Sequence, residues 1–394
     1  MSVPLPVYLD NHATTRCDPA ALEAMWPWFS EDYGNAASRS HALGLRARSA
    51  TEAARASIAS WLGASPKGVI FTSGATEANN LAILGLARAA AGRPRHVITV
   101  ATEHKAVLEP VEALAREGVE VTVLPVAPDG RIEPGDVVAA LRPHTLLVSI
   151  MRVNNEIGTI QPLAEVAEAC RARGVRIHTD AAQSAYVPTE LGALGVDLIS
   201  VSSHKIYGPK GIGALVMARG RPRMQLEPLL HGGGHERGLR PGTLPVPLIV
   251  GFGVAARLLE QGLGTEPTRI AGLRDRLLEG LTTRLDGITI HGTQAARSPN
   301  NLNLSFEGVE AEALLMSLRA DVALSTSSAC SSESLQPSHV LRALYPDASQ
   351  RAALSGSIRF GIGRFNTGAE IEHVIDAVST RVTELRAMAS LYEP

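Results

Sequence analysis

Two side chains with complementary chemistry each lie at the end of a segment predicted to be a strand. Asp180 ends the segment from 175 to 180, and Lys205 follows the segment from 197 to 202. Runs rich in β-branched residues favour strands, and a rigid strand holds the side chain that follows it in one place. A lysine amine can form a Schiff base with an aldehyde, and a carboxylate can keep a pyridine nitrogen protonated. The pair therefore indicates a pyridoxal phosphate site, although a lysine on a polar turn is more often a solvated surface charge.

A glycine turn between an apolar run and an alanine-rich segment suits the same cofactor. The segment GVIFTSGATEANN (68–80) passes through Gly74 into sequence that favours a helix. Backbone N–H groups at the start of a helix lack intrahelical partners and attract phosphate. Gly74, Ala75 and Thr76 therefore form a candidate phosphate-binding turn. By itself this evidence is weak, because every α/β unit contains such a junction.

The elements that would position these groups alternate in type along the chain. From about 66 to 217, apolar runs of strand length alternate with helical patterns, such as that from 162 to 173. This alternation predicts an α/β fold with a mostly parallel sheet covered on both faces. Open sheets of this kind bind ligands at the carboxyl ends of their strands, where Asp180 and Lys205 are expected to lie.

The composition argues against several classes of protein. The chain of 394 residues is long enough for more than one domain, carries a net charge of −2 and is only 4% aromatic, so no nucleic-acid partner is expected. No apolar run approaches a membrane span, and the N-terminus lacks the pattern of a signal peptide. Three cysteines indicate a reducing compartment, and we expect a cytoplasmic protein. No metal is expected, because the glycine-rich loop around His231 and His235 pre-organises no ligands.

Several long motifs carry a resemblance to a known family. The runs YLDNHATT (8–15), SGATE (73–77) and SSHKIYGPKGIG (202–213) resemble those of the cysteine desulfurases, pyridoxal phosphate enzymes of the class V aminotransferase group. The resemblance extends to about Arg364, nearly the whole chain. It implies the aspartate aminotransferase-like fold of type I, with a large domain over 16–257 and a small domain formed by 1–15 and 258–394.

The resemblance also implies roles around the cofactor. His104 would stack on the ring and transfer protons, and Gln183 and Asn155 would contact the ring oxygen. Ser202 and His204 would hold the phosphate with Thr76. The remaining cofactor-binding residues are Ala75, Asp180, Lys205 and Thr243, the last reaching across a homodimer, although Pro241 replaces the usual serine before its glycine.

The substrate and sulfur roles fall on four further positions. Asn35, Asn155 and Arg359 would bind L-cysteine, with Arg359 holding its carboxylate through a planar fork of donors. Cys330 lies in a serine-rich run and matches the family cysteine that receives sulfur as a persulfide. This run is of the long type found in desulfurases that feed iron–sulfur assembly and thiolation, so the expected acceptor is an iron–sulfur scaffold or a sulfur carrier.

Two other interpretations remain open from the sequence. A selenocysteine lyase or an aminotransferase could use the same fold, because a fold does not determine chemistry. A non-catalytic sulfur carrier or scaffold is an alternative of another class, although it would not need the complete cofactor set. Cys170 falls on the apolar face of its predicted helix, which favours a structural role, and Cys17 matches no functional position.

Overall fold

The computed structural model describes residues 3–220, 224–326, 338–347 and 357–390. Within these ranges the strands are β1 Val7–Tyr8, β2 Val69–Thr72, β3 His96–Val100, β4 Glu120–Leu124, β5 Thr145–Ser149, β6 Arg176–Asp180, β7 Leu198–Ser202, β8 Gly213–Met217, β9 Ile288–Ile290, β10 Asn301–Phe306, β11 Val322–Ala323, β12 Ser325–Thr326 and β13 Ile358–Gly361. The helices are α1 Pro19–Met25, α2 Pro27–Ser30, α3 Ala42–Trp61, α4 Ala75–Ala89, α5 Lys105–Arg116, α6 Pro134–Ala140, α7 Leu163–Arg171, α8 Leu191–Leu194, α9 Val246–Gly262, α10 Glu266–Arg284, α11 Ala311–Leu318, α12 His339–Leu344 and α13 Gly368–Ser390.

The larger sheet has seven strands among the described residues, in the order β2-β8-β7-β6-β5-β3-β4. Its strands run parallel except β8, which is antiparallel to both β7 and β2. The connection from β7 to β8 contains no crossover helix, so the chain can only return antiparallel. The predicted α/β fold with a mostly parallel sheet is confirmed.

Helices cover both faces of this sheet. α4 and α5 pack together on one face, and α3 and α9 pack together on the other. The central strands β6 and β7 are almost entirely buried, as apolar runs in a doubly covered parallel sheet require. The described helices include no single one that is long and apolar enough to cross a membrane; α9 and α10 pass that test only as a pair, across a bend of 77°.

A second, antiparallel sheet lies in the C-terminal part of the chain, in the order β12-β13-β10-β9. β1 pairs in parallel with β11, so the N-terminal strand joins these late elements. α10 and α11 both pack against α13. This arrangement is the one that the proposed division at 15–16 and 257–258 would produce, and the division itself stays a prediction.

Candidate active site

A cleft of about 630 Å³ lies at the carboxyl ends of β5, β6 and β7, beside the starts of α4 and α5. Open α/β sheets bind ligands at this position, and the volume suits a small-molecule cofactor. The cleft brings together most of the residues predicted from the sequence. Those that line it are Ala75, Thr76, His104, Asn155, Asp180, Gln183, Ser202, His204 and Lys205.

One end of the cleft is built to receive an anion. α4 begins at Ala75 with Gly74 as its N-cap, and no side chain caps its first N–H groups. These donors and the positive end of the helix favour a phosphate. Ser202 Oγ lies against the same turn, 3.9 Å from where a Cβ on Gly74 would be. Glycine at position 213 allows β8 to approach this turn closely, because a Cβ added to Gly213 would lie 2.7 Å from Gly74 Cα.

Asp180 is a buried carboxylate with both oxygens hydrogen-bonded. Asn79 Nδ2 donates to Oδ2 at 2.6 Å, and the Ala182 backbone N–H donates to Oδ1 at 2.9 Å. Hydrogen bonds to a carboxylate favour its ionised form. Asn79 Oδ1 is buried and has no hydrogen-bond partner in the described part of the chain. This end of the cleft therefore offers a negative charge to a cationic ring nitrogen.

The N-terminal segment holds the turn that carries Lys205. A short 3-10 turn follows β7 and ends at Lys205, whose Nζ donates to the His12 carbonyl oxygen. The Thr15 N–H and hydroxyl both donate to the His204 carbonyl at 2.9 Å. The Thr15 oxygen in turn accepts from the Tyr207 N–H at 2.9 Å. Contacts across almost 200 residues of sequence thus fix the lysine.

Tyr207, two residues after the lysine, has an unusual backbone conformation. Its φ of 68° lies in the left-handed region, which costs a bulky residue on the order of 1–3 kcal/mol. Its hydroxyl pairs with that of Tyr186 and accepts from the Arg364 N–H at 2.7 Å. The Asp18 N–H donates to its carbonyl at 2.8 Å. These contacts maintain the strained turn and with it the direction of Lys205.

The two cleft histidines differ in their hydrogen bonding. His104 precedes α5, and its Nδ1 accepts from the Ala106 N–H at 3.0 Å, so a neutral ring carries its proton on Nε2. For His204, burial and then the charges of Lys205 and Lys210 lower the pKa to about 4. His204 is therefore neutral near pH 7 and contributes a polar side chain to the lining of the cleft.

Gln183 and Lys205 converge on one carbonyl group. Gln183 Nε2 donates to His12 O at 2.9 Å, and Gln183 Oε1 lies 3.1 Å from His12 Nδ1. Burial, followed by the charge of Arg359, lowers the pKa of His12 to about 3, so this ring is neutral. A neutral His12 donates from Nδ1 to Gln183, which fixes the amide in the cleft wall.

Arg359 lies beside the cleft on β13, with only 5% of its surface exposed. One guanidinium nitrogen donates to the Asn155 carbonyl at 3.0 Å. The other donates to Asp10 Oδ1 at 3.1 Å and to Ser325 Oγ at 2.8 Å. The arginine thus touches the backbone of a cleft residue without lining the cleft, and its role in binding substrate stays a prediction.

Three predicted residues lie away from the cleft or beyond the described chain. Asn35 is exposed, and its Oδ1 accepts from the Ala37 N–H at 2.9 Å in a local turn. Thr243 is also exposed. Cys330 lies outside the described residues. No structural observation tests the roles predicted for these three positions.

The loop that leads to Thr243 is fastened to the body of the domain by a buried ion pair. Glu236 receives two hydrogen bonds from Arg55, at 2.8 and 2.9 Å, and one from the Phe71 N–H at 2.8 Å. Glu236 and Arg237 both have positive φ angles, 48° and 60°. The glycine-rich run thus ends in a defined conformation.

Sequence reasoning missed three residues that shape the site: His12, Asn79 and Glu156. Asn79 lies one helical turn after Thr76, a spacing that could have placed it on the cleft face of α4. His12 and Glu156 lie inside motifs already singled out, but nothing local shows that either side chain is buried. Their importance follows from contacts that only the fold creates.

The donor set of the cleft fits pyridoxal phosphate. The uncapped helix start suits its phosphate, the Asp180 carboxyl group suits its ring nitrogen, and the lysine amine lies on a fixed turn of the same cleft. Among the described residues, the unpaired oxygen of Asn79 leaves a further hydrogen-bonding position in the same cavity.

Comparisons with known proteins agree with this chemistry. The family model described as "Aminotransferase class-V" matches residues 7–374. "Cysteine desulfurase IscS" of an Anaeromyxobacter strain is 52% identical over 390 residues, covering 99% of this chain and 95% of the relative. A structure titled "NIFS-LIKE PROTEIN" matches 96% of this chain and all of its own, with 34% identity and a TM-score of 0.88. "SspA in complex with cysteine" covers 92% of this chain and 100% of its own, with 35% identity and a TM-score of 0.80.

These matches extend over nearly the whole chain. The chain belongs to the class-V aminotransferase family and, within it, to the cysteine desulfurases.

Proposed function

We propose that this protein is a pyridoxal phosphate-dependent cysteine desulfurase that converts L-cysteine into L-alanine and receives the sulfur on Cys330 as a persulfide. The observation that carries the proposal is the single cleft in which Lys205, Asp180, His104 and the uncapped start of α4 meet. The reaction balances without another reactant: the substrate C–S bond breaks, an S–S bond forms on the enzyme thiol, and hydrogen replaces sulfur on the carbon.

Different residues would bind the phosphate, the ring and the substrate. The backbone of Ala75 and Thr76, with Ser202 and His204, would hold the phosphate, and Asp180 would hold the ring nitrogen. When bound, the cofactor supplies an electron sink that weakens bonds at the substrate's amino-bearing carbon. Gln183 and Asn155 would orient the ring oxygen. Asn35 and Arg359, with Asn155, would fix the substrate.

Proton transfer falls to two groups. His104 lines the cleft, and its Nδ1 accepts a hydrogen bond from the helix it precedes, which fixes the ring orientation. The Lys205 amine lies on a turn that the N-terminal segment holds in place. Both groups can therefore accept and return a proton over a short distance.

The burial of the other two cysteines supports Cys330, which the motif indicates, as the sulfur acceptor on the enzyme. The thiolate is the reactive form of cysteine. Burial, followed by the charge of Asp197, raises the pKa of Cys170 to about 12, and burial, followed by Asp18, also raises the pKa of Cys17. Neither thiol is suited to attack at neutral pH. Cys330, in its serine-rich run, is the remaining cysteine.

The test is intact-mass analysis of the holoenzyme after brief incubation with L-cysteine and no reductant, with alanine measured in parallel. Wild type should gain one sulfur, mapped to the peptide that contains Cys330. Cys330→Ala should bind cofactor and cysteine but gain no sulfur and release little alanine. Cys17→Ala and Cys170→Ala are the matched controls and should keep the persulfide. Full alanine production by Cys330→Ala would contradict the proposal.

The same experiment separates the alternatives. An aminotransferase would produce a keto acid instead of alanine, and a selenocysteine lyase would turn over selenocysteine while leaving cysteine intact. A sulfur carrier without catalysis would release no alanine at all. The sequence identity to relatives named cysteine desulfurase favours a cysteine desulfurase over all three of these alternatives.

A homodimer is part of the proposal. Thr243 is exposed at the end of a loop fastened by the Glu236–Arg55 ion pair, an arrangement suited to reaching a second subunit's phosphate site about a two-fold axis. Sedimentation at working concentration should find a dimer, and Thr243→Ala should weaken cofactor retention without changing the assembly. A fully active monomer would contradict this part.

The destination of the sulfur is proposed from the family alone. An iron–sulfur scaffold or a sulfur carrier protein in the cytoplasm is the expected acceptor. Incubation of the persulfide-bearing enzyme with such acceptors, followed by transfer of labelled sulfur, is the direct test. If the enzyme transferred sulfur neither to an iron–sulfur scaffold nor to a sulfur carrier, this part of the proposal would be contradicted.

A further inference from the structure

Glu156 is a buried glutamate next to the cleft residue Asn155, and no step described above uses it. Its backbone is fixed on three sides. Its N–H donates to Asn154 Oδ1 at 2.9 Å, and its carbonyl accepts from Asn301 Nδ2 at 3.1 Å and Asn303 Nδ2 at 3.0 Å. The carboxyl group, 4% exposed as a residue, is therefore held in one place relative to Asn155.

The surroundings of this carboxyl come from separate elements. The Ser338 hydroxyl, just before α12, hydrogen-bonds to it, and Arg359 on β13 and His104 before α5 act on it through their charges. In the described part of the chain, Glu156 Oε2 and Arg359 Nε are both buried without a hydrogen-bond partner. This buried cluster thus leaves one carboxyl oxygen and one guanidinium N–H with unused hydrogen-bonding capacity among the described residues.

Other charged groups contact the neighbours of Glu156. Asp10 pairs with Arg359 at 3.1 Å, and Arg297 donates to the carbonyl of Ile157 at 3.0 Å. On the α12 side, His339 Nε2 lies 2.8 Å from the Glu103 carbonyl oxygen. Burial lowers the pKa of His339 and raises that of the Glu103 carboxyl well above its usual range. His339 is therefore neutral near pH 7, and the raised pKa of Glu103 favours its protonated form.

The charge of Glu156 depends on a balance. Burial raises its pKa, while the Ser338 hydrogen bond and the charges of Arg359 and His104 lower it, and the result is about 7. Ionised Glu156 would cancel part of the positive potential of Arg359. Protonated Glu156 would leave that potential available to a substrate carboxylate.

We propose that Glu156 is a positioning residue whose protonation state tunes how tightly the Arg359 end of the site binds the substrate carboxylate. The proposal rests on the proposed function, because it takes Arg359 as the carboxylate anchor. A carboxylate ligand binds more tightly when Glu156 is protonated and more weakly when it is ionised. A full unit of opposing charge at this depth should change affinity on the order of tenfold.

The experiment measures binding of L-alanine, the reaction product, to the holoenzyme by its effect on the visible spectrum from pH 6 to 8. Alanine has no thiol, so its side chain does not titrate. The dissociation constant of wild type should rise about tenfold across this range, with a midpoint near pH 7. All variants bind the same ligand and the same cofactor. Comparing their dissociation constants at each pH therefore cancels any titration of the alanine amino group or of the cofactor.

Three variants give the proposal separate outcomes. Glu156→Gln should bind alanine as wild type does at low pH and show no midpoint. Ser338→Ala removes a donor that favours the ionised form, so its midpoint should move to higher pH. Glu103→Gln is the matched control, because burial raises the pKa of that carboxyl and favours its protonated form, and the variant should keep the wild-type midpoint.

The results that would overturn the proposal are equally specific. A wild-type dissociation constant independent of pH, or a Glu156→Gln curve with the wild-type midpoint, would each do so. An unmoved midpoint in Ser338→Ala would also do so, even if Glu156→Gln failed to fold. Alanine release from cysteine by wild type is measured separately, so failure of the proposed function is seen independently of the binding curves.

Discussion

The side-chain amide of Asn79 donates a hydrogen bond of 2.6 Å to Asp180 Oδ2. The two residues come from different elements, the first turns of α4 and the end of β6, and together they join the phosphate end of the cleft to its carboxylate end. α4 thus contributes twice, through its uncapped N–H groups and through this side chain.

Replacement of Asn79 should weaken cofactor binding. Asn79→Leu removes the donor that stabilises ionised Asp180, and a hydrogen bond to a charged group is worth about 1.5–3 kcal/mol, so retention should fall at least tenfold. Equilibrium dialysis against pyridoxal phosphate measures it. Asn80→Ala, the neighbour whose amide only donates to the Thr76 carbonyl, is the control and should bind normally. Equal affinity in the two variants would show that Asp180 does not need the donor.

Lys205→Ala should abolish turnover and the covalent link to the cofactor. The turn holds this amine in the cleft, and Lys210, the other lysine of the cleft wall, lies on the glycine-rich return to β8. Borohydride reduction followed by peptide mapping locates the linkage. In Lys210→Ala the label should still map to Lys205. A label on Lys210 in the wild-type enzyme would reverse the assignment.

The strained turn at Tyr207 should respond in a graded way to loss of hydroxyl groups. Tyr207→Phe removes both the Tyr186 pair and the acceptor for the Arg364 N–H, whereas Tyr186→Phe removes only the pair. Loss of a buried partner costs about 1–3 kcal/mol, so the first variant should unfold at lower urea concentration than the second. Identical midpoints for both variants and wild type would show that the hydroxyl contacts do not support the turn.

Stability should fall as the pH drops below about 6.5. Burial lowers the pKa of His178 to about 3, while its nitrogens are occupied by Ser149 and Ser200 at 2.8 and 2.9 Å. The unfolded chain therefore binds more protons below 6.5, and each such histidine costs about 2 kcal/mol of unfolding free energy at pH 5. Urea titrations from pH 7 to 5 measure the slope of the unfolding free energy against pH.

The slope should depend on the buried ring and not on histidines in general. His178→Gln should reduce it, whereas replacement of the exposed His231 should leave it unchanged. A slope that is the same in wild type and His178→Gln would mean that other groups govern acid stability.

Glu156 should contribute to stability with the opposite sign. Its folded pKa of about 7 lies above the unfolded value, so the folded chain binds more protons between about 4.5 and 7, and stability is lost as the pH rises through that window. The loss approaches about 3 kcal/mol above pH 7. Glu156→Gln should remove it, as measured by urea unfolding at pH 5 and 8. A wild-type difference that persists in the variant would point to another carboxyl.

Local sequence determined the parts of this site that follow directly from strand and helix ends. Lys205, Asp180 and the Gly74 turn each lie at the end of a predicted strand, and the carboxyl ends of parallel strands meet at one edge of a sheet. Their convergence in one cleft was therefore predictable from the order of elements. The roles assigned to His104, Asn155 and Gln183 came from motif resemblance, and the cleft does bring these three side chains together.

Only the tertiary structure decided which side chains are desolvated and which distant segments touch. Thr15 holds a turn almost 200 residues away, Asp10 pairs with Arg359 across 349 positions, and Asn79 reaches Asp180 across 101. Burial raises the pKa of Glu156, and Ser338, Arg359 and His104, which lie far apart in the chain, lower it in part. Sequence patterns report local periodicity, whereas desolvation and charge pairing depend on distances that exist only after the chain has folded.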